Sequence, residues 1–193
     1  MGLALSDAQA QRMRAHLALL AKWNRKVNLT AVAREDMVAR HLLDCLAIAA
    51  FVRGRRLLDL GSGAGFPGIP LAIIAPHLEV TLIESRAKRA EFLRHAVDEL
   101  ALANVETVQQ RAEAYRPARK FDTLAARAFA SLGACVEVCA RLHRPGGRLL
   151  AMKAKLPTRE IAELTPAQQQ RMTIEKLRVP FLAAQRRLII IEF

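Results

Sequence analysis

The chain has 193 residues, of which 52% are hydrophobic and 25% are charged, as in one soluble globular domain. This composition excludes a disordered or fibrous protein, and no apolar run is long enough to span a membrane. Lysine and arginine outnumber aspartate and glutamate by 30 to 18, which gives a formal net charge of +12. We expect a polyanion partner and no membrane partner, the alternative being a genome with an arginine-rich composition.

The three cysteines are too few for a disulfide framework and favour a reducing, cytoplasmic location. Cys135, Cys139 and His143 have a helical spacing that would suit a metal site. Their neighbours are apolar, however, and free cysteines are usually buried, so we predict no metal.

Two helices are predicted before the first strand. Ser6 and Gln9 form a capping-box pattern that begins a helix ending near Trp23. A second helix is predicted from about Glu35 to Val52, with Gly54 ending it. We interpret residues 1–53 as a helical extension of a single domain. Trp23 is interpreted as a core anchor, with a base-stacking platform as the alternative.

Residues 54–193 are predicted to form a Rossmann-like core, because short apolar segments alternate with helical ones. The predicted strands are 55–60, 78–84, 104–110, 121–126 and 147–153, and the predicted helices are 69–75, 86–102 and 132–143. Five alternations predict an α/β fold with a mostly parallel, doubly wound sheet. The segments 170–180 and 184–193 are predicted to form an antiparallel hairpin at the sheet edge, with a short turn near Pro180.

A glycine-rich turn, "LLDLGSGAGFPGIP", follows the first predicted strand, where open α/β sheets bind ligands. Gly61, Gly63 and Gly65 remove side chains from the turn and permit positive φ angles. Their spacing differs from the dinucleotide-binding pattern, and Asp59 stands just before them. A carboxylate at this point suits a cationic ligand group, such as an amino-acid moiety. Glu84, at the end of the second strand, is placed to accept hydrogen bonds from ribose hydroxyls.

These features together predict a site for S-adenosylmethionine and a class I methyltransferase fold. We expect Asp59→Ala to weaken cofactor binding. The alternative is a glycine turn that only connects a strand to a helix.

The sequence resembles the 16S ribosomal RNA guanine-N7 methyltransferase G family, also called glucose-inhibited division protein B. The resemblance runs from about Lys22 to the C-terminus and rests on "KWNRKVNLT", "RHLLDC", "DLGSGAGFPGIPLAI", "RAFASL", "MKA" and "RRLIII". It implies a cytoplasmic bacterial enzyme that moves a methyl group from S-adenosylmethionine to N7 of one guanine. The substrate would be 16S ribosomal RNA, the 30S subunit or an assembly intermediate, and we expect the enzyme to be a monomer.

The resemblance also implies which residues contact the cofactor. They are Gly61, Phe66, Ala112, Glu113 and Arg127. Arg127 follows the fourth strand, where an arginine would orient the guanine or hold the cofactor carboxylate. Its structural alternative is an ion pair with an acid such as Asp122. N7 of guanine carries a lone pair and no proton, so methyl transfer needs alignment and no general base.

Five residues are candidates for RNA contact, and each has a structural alternative. They are Asn28, Arg40, His41, Lys153 and Arg186. Asn28 would otherwise cap a turn, Arg40 would pair with Asp44 four residues later, and His41 would be a buried, hydrogen-bonded histidine. Lys153 and Arg186 would otherwise be solvated strand ends.

Two rival functions remain open from the sequence. One is a methyltransferase of the same fold that acts on a small molecule or a protein. The other is a nucleic-acid-binding module with a vestigial glycine turn.

Overall fold

A seven-stranded sheet forms the centre of the protein, as seen in a computed structural model that describes residues 4–193. The strands are β1 (Arg56–Leu60), β2 (Glu79–Ile83), β3 (Val105–Val108), β4 (Phe121–Arg127), β5 (His143–Lys153), β6 (Met172–Leu177) and β7 (Arg186–Glu192). Their order in the sheet is β3-β2-β1-β4-β5-β7-β6. Strands β1 to β5 are parallel, and β7 runs antiparallel between β5 and β6. The predicted mostly parallel sheet with a C-terminal antiparallel hairpin is confirmed.

Helices cover both faces of this sheet. They are α1 (Asp7–Trp23), α2 (Asp44–Leu46), α3 (Gly68–Ile74), α4 (Ala87–Glu99), α5 (Leu132–Leu142), α6 (Thr158–Ala162) and α7 (Pro166–Gln170). Successive strand residues point to opposite faces, so Leu57 and Leu58 enter two different apolar clusters. Burial on both faces explains why the central strands are mostly apolar. Within residues 4–193, no helix has the length and hydropathy needed to cross a bilayer.

Helix α1 begins as predicted, with the Ser6 hydroxyl accepting from the Gln9 backbone N–H in a capping box. The predicted continuous helix from Glu35 to Val52 is wrong. The chain instead forms a series of short helical turns, comprising 3₁₀ turns at Arg34–Asp36 and Ala49–Phe51, a π turn at Val38–Leu43, and α2. The wider π turn changes which side chains align along the segment, so the spacing of an ideal α-helix does not apply to it.

The C-terminal segment departs from prediction at its connections. Helices α6 and α7 lie between β5 and β6, where no helix was predicted, because five-residue helices are too short to show a periodic pattern. The connection between β6 and β7 covers residues 178–185, which is longer than the predicted short turn. Strand β7, which is richer in isoleucine, takes the inner position, and β6 forms the edge.

Candidate active site

The glycine turn connects β1 to α3 at the carboxyl end of the sheet. Gly61, Gly63 and Gly65 have φ angles of +64°, +57° and +83°, so the predicted positive φ angles are confirmed. A Cβ on Gly61 would lie 2.6 Å from the Phe129 ring, which leaves no room for a side chain. The nearest atoms to a Cβ on Gly63 would be 3.7 and 3.9 Å away, so this backbone is open.

Two adjoining cavities of about 470 and 240 Å³ lie over the turn. Both are lined by Gly61, Arg89 and Ala128. The smaller cavity extends along the end of β2 to Glu84, and the larger extends towards β5 and β7. Together they form one cleft at the point where the order of the parallel strands reverses, which is where doubly wound sheets bind ligands.

Glu84 lies buried at the wall of the smaller cavity. Its carboxylate accepts hydrogen bonds from the backbone N–H groups of Gly63, at 3.1 Å, and Arg86, at 2.8 Å. Each carboxylate oxygen has a second lone pair available for another donor. Ala112 and Glu113 line the same cavity. The structure therefore brings together three of the residues predicted to contact the cofactor.

Asp59 lies beneath the turn and lines neither cavity. Its side chain is fully buried, and its Oδ2 accepts a hydrogen bond of 3.0 Å from the backbone N–H of Gly68. Its Oδ1 has no hydrogen-bond partner. The predicted direct contact with a cationic ligand does not match this position, because the carboxylate points into the protein and holds the start of α3. Gly65 also lies inside the turn, against Ile69.

The burial of Asp59 leads to a testable pH dependence. Burial raises the pKa of this carboxyl from 3.8 to about 6. A pKa raised on folding adds stability below about pH 4, and this contribution is lost as the pH rises through about 6. We therefore expect this carboxyl to lower the free energy of unfolding of the wild type by up to about 3 kcal/mol between about pH 4 and 6. Asp59→Asn, which keeps an acceptor for Gly68, should abolish this fall.

The measurement is urea unfolding of the wild type and Asp59→Asn from about pH 4 to 8. A stability difference between the two proteins that is constant over this range would contradict the assigned pKa. Weaker cofactor binding by Asp59→Ala stays a prediction, now acting through the turn.

Arg127 belongs to a group of interacting side chains on the wall of the larger cavity, which we call the Arg127 cluster: Thr30, His41, Asp44, Phe66, Arg127 and Arg186. The Arg127 guanidinium carbon lies 5.0 Å from the centroid of the Phe66 ring. The His41 ring stacks on the same phenyl ring at 4.5 Å and 11°. Phe66, predicted to contact the cofactor, therefore lines the cavity and supports both side chains.

The hydrogen bonds of His41 fix its protonation state. Both terminal nitrogens of Arg127 lie 3.3 Å from His41 Nδ1, and arginine is only a donor, so Nδ1 must accept. The proton is then on Nε2, which donates to the Thr30 hydroxyl at 2.9 Å. Burial, together with the positive charge of Arg127, lowers the pKa of His41 to about 3. His41 is thus both a buried, hydrogen-bonded histidine and part of the cavity wall.

The ion pairs of this region differ from those predicted. Asp44 is buried and pairs with Arg186 at 3.1 Å and with Arg127 at 3.8 Å. The predicted pair of Arg40 with Asp44 is wrong, since Arg40 lies 3.7 Å from Asp36 instead. The π turn at Val38–Leu43 explains this difference, because it breaks the α-helical spacing.

The structural alternative for Arg127, an ion pair with an acid, is confirmed, but the partner is Asp44 at 3.8 Å and not the named example, Asp122. Asp122 lies at the opposite end of β4, where it pairs with Arg144 at 2.7 Å. Asp122 and Arg127 therefore lie near opposite ends of β4, too far apart to pair.

The candidates for RNA contact are mostly held by other protein groups. Lys153 lines the larger cavity, but its ammonium group lies 2.8 Å from Glu160. Arg186 lines the same cavity and pairs with Asp44. Asn28 is exposed and does not line the cleft.

Several residues of the cleft are not indicated by the sequence patterns, and Arg89, Arg187 and Ala128 are notable among them. Arg89 and Arg187 line the larger cavity and have no carboxylate partner within residues 4–193. The position of Arg89 in the first turn of the helix after β2 is a signal that would have indicated it. Ala128, on both cavities, has φ +53°, a left-handed conformation that is uncommon for alanine.

Cys135, Cys139 and His143, whose spacing would suit a metal site, have structural contacts. Cys135 and Cys139 are buried in α5, and His143 Nδ1 lies 2.7 Å from the carbonyl oxygen of Arg144. Across residues 4–193, no three histidine, cysteine or acidic side chains come together as metal ligands.

Solved structures share this fold. A SAM-dependent methyltransferase from Aquifex aeolicus has a TM-score of 0.60 at 16% identity, covering 81% of this chain and 92% of that one. A 16S rRNA N2 methyltransferase of T. thermophilus, solved in complex with AdoMet and guanosine, has a TM-score of 0.57 at 24% identity. The match covers 78% of this chain and 41% of that one. These similarities confirm the predicted class I, Rossmann-like methyltransferase fold.

Sequence relatives are much closer. A ribosomal RNA small subunit methyltransferase G of Nitrosococcus oceani is 45% identical over 190 residues, which is 98% of this chain and 88% of the relative. That of Stenotrophomonas maltophilia is 49% identical over 188 residues, or 97% of this chain and 88% of the relative. The sequence model of the GidB family, rRNA small subunit methyltransferase G, matches residues 9–190. The chain therefore belongs to the rRNA small subunit methyltransferase G family.

Proposed function

We propose that the protein transfers a methyl group from S-adenosylmethionine to N7 of a guanine in 16S ribosomal RNA. Membership of the family supports small-subunit ribosomal RNA as the substrate. The observation that carries the proposal is the two-part cleft over the bare glycine backbone, with a buried acid at one end and arginines at the other. The smaller part suits a nucleoside, and the larger part has space for the methyl acceptor.

The residues present fit S-adenosylmethionine, because the open backbone at Gly63 leaves room that any side chain would reduce. Glu84 would accept hydrogen bonds from the ribose hydroxyls, and Ala112 and Glu113 would border the adenine. Arg127 would hold the carboxylate of the amino-acid moiety or the guanine. When bound, S-adenosylmethionine supplies a methyl group on a sulfonium, which is electrophilic without further activation.

The state of the acids and bases around the larger cavity supports N7 as the acceptor atom. Asp44, the sole carboxylate among its described lining residues, pairs with Arg127 and Arg186. His41 Nδ1 accepts from Arg127, and its Nε2 donates to Thr30. No group of this wall is therefore free to remove a proton, within residues 4–193. N7 of guanine needs no proton removed, so the wall has only to orient the base and exclude water.

His41 is proposed as a positioning residue for Arg127. Its neutral Nδ1 accepts from both terminal nitrogens of the guanidinium and holds it over the Phe66 ring. We expect His41→Leu to lower kcat by about tenfold or more, because a misplaced contact in a preorganised site is costly. His41→Asn, whose side-chain oxygen lies near the position of Nδ1, should retain most of the kcat that His41→Leu loses.

The measurement is kcat and KM for RNA methylation by both variants, with thermal unfolding to verify folding. Equal losses in the two variants at equal stability would show that the Nδ1 acceptor has no role.

The proposed function is tested by supplying labelled S-adenosylmethionine together with undermethylated small subunits, naked 16S RNA or cell-extract protein and metabolites. We expect label in the RNA, in one or both of its forms. Label in protein or in a small molecule, with none in RNA, would overturn the proposal and favour the rival methyltransferase. Comparison of the two RNA samples identifies whether the subunit or the free RNA is the substrate.

We also propose a cytoplasmic location, which the three free, buried cysteines support. The monomeric state and the division into a helical extension, 1–53, and a core, 54–193, stay predictions. Size-exclusion chromatography with light scattering measures the first.

A further inference from the structure

A second groove, of about 730 Å³, lies beside the active-site cleft between the end of α1 and one face of α4. We call it the Trp23 groove, and it is lined by Lys22, Trp23, Arg25, Lys26, Val27, Glu91 and His95. The segment "KWNRK", residues 22–26, supplies most of one wall. Neither the proposed cofactor site nor the Arg127 cluster uses any of these residues.

The Trp23 groove carries an excess of positive charge. It has three cationic side chains, Lys22, Arg25 and Lys26, and one acidic side chain, Glu91. All four are exposed, and none forms an ion pair within residues 4–193. Cations that are not committed to protein carboxylates are available to phosphate groups.

Two aromatic rings line the same groove. The rings of Trp23 and His95 lie 5.4 Å apart, centroid to centroid, and both residues are partly exposed. Trp23 also contacts the buried Phe92 ring edge-on at 5.7 Å. The indole is therefore anchored in the core on one side while it lines a basic groove on the other, so the two interpretations of Trp23 are compatible.

One hydrogen bond connects the wall of the Trp23 groove to the wall of the active-site cleft. The Arg89 guanidinium donates a hydrogen bond of 3.0 Å to the carbonyl oxygen of Asn28. Arg89 lines both cavities of the cleft, and Asn28 follows Val27 of the groove. The groove and the cleft are therefore close neighbours, with Arg89 and Asn28 between them.

We propose that the Trp23 groove is a subsite for a nucleotide of single-stranded RNA that flanks the target guanine. Its base stacks against Trp23 and His95, and its phosphates contact Lys22, Arg25 and Lys26. Aromatic side chains within a basic groove are the usual means by which proteins bind single-stranded RNA. The proposal rests on the proposed function, because that function makes RNA the substrate.

Trp23 is the only tryptophan of the chain, so its fluorescence reports directly on the groove. The probe is a dye-labelled single-stranded oligoadenylate of about ten nucleotides, a length that covers a typical single-strand site. Dye anisotropy measures binding, and tryptophan emission measures stacking. We expect the emission to be quenched in parallel with binding, and S-adenosylhomocysteine alone to leave it unchanged. Saturated binding without quenching, or no binding at low salt, would overturn the proposal.

A charge-reversal pair provides a second test that does not disturb the core. Arg25→Glu with Lys26→Glu alters the groove, and Arg12→Glu with Arg14→Glu makes the same change in net charge on exposed positions of α1. We expect the groove pair to raise KM for 16S RNA by about tenfold or more, with kcat and cofactor affinity unchanged. The control pair should have a much smaller effect.

Equal increases in KM for the two pairs would show a general charge effect and overturn the subsite. The two proposals fail in different ways. Quenching by RNA without methylation of any RNA removes the proposed function and leaves the groove as an RNA site. Methylation of RNA without quenching removes the groove alone.

Discussion

Replacing Arg127 with alanine is expected to lower kcat/KM for RNA methylation by about 100-fold or more, a size typical of losing one preorganised donor. Arg127 is the group that connects the Phe66 ring, His41 and Asp44 at the wall of the larger cavity. Its guanidinium is planar and presents several donors at once, so Arg127→Lys should retain the charge but recover only part of the activity.

The control for Arg127 is Arg141→Ala, an exposed position on α5 that removes the same charge away from the cleft. Asp44 keeps its contact with Arg186 in the Arg127 variant, so we expect a small change in the temperature of unfolding. Initial rates with labelled donor measure the effect. Wild-type turnover in Arg127→Ala would remove this residue from the site.

Replacing Glu84 with glutamine is expected to weaken S-adenosylmethionine binding by about 100-fold. Hydrogen bonds to a charged acceptor contribute roughly 1.5–3 kcal/mol each, and about 1.4 kcal/mol corresponds to tenfold in affinity. The amide also has one acceptor oxygen in place of two, so it cannot accept from Gly63, Arg86 and ribose hydroxyls together.

Calorimetric titration with S-adenosylmethionine measures this loss. Glu106→Gln is the matched control, because Glu106 is an exposed glutamate on the adjacent strand β3. An unchanged dissociation constant in Glu84→Gln would show that the carboxylate does not contact the cofactor.

The parts of the fold that the sequence predicts are those set by local pattern. Apolar runs bounded by turn residues mark the strands, since a buried parallel strand must be apolar on both faces. The spacing of Gly61, Gly63 and Gly65 predicts a left-handed turn, because side chains disfavour that conformation. Glu84 is located correctly because it directly follows the second strand, whose end lies at the cleft.

The parts that the sequence does not predict depend on contacts between distant residues. Asp44 pairs with Arg186, which is 142 positions away, and no local spacing indicates this pair. A sequence also does not show on which side of the turn an acid lies. The position of Asp59 before the glycines predicts a carboxylate that faces the ligand, whereas in the fold it accepts a hydrogen bond from the Gly68 N–H beneath the turn. The position of Lys153 at a strand end predicts a cation that is free to bind phosphate. The sequence does not indicate that Glu160 pairs with it in the fold.

The chemical identity of the modified nucleotide tests the proposed function most directly. 16S RNA or small subunits from a strain lacking this gene are incubated with the protein and labelled S-adenosylmethionine, and the RNA is digested and its nucleosides separated. The proposed function predicts one labelled product, 7-methylguanosine, from a single position of the RNA. A methyl group on another atom or base, or RNA that stays unlabelled while the donor is bound, would contradict it.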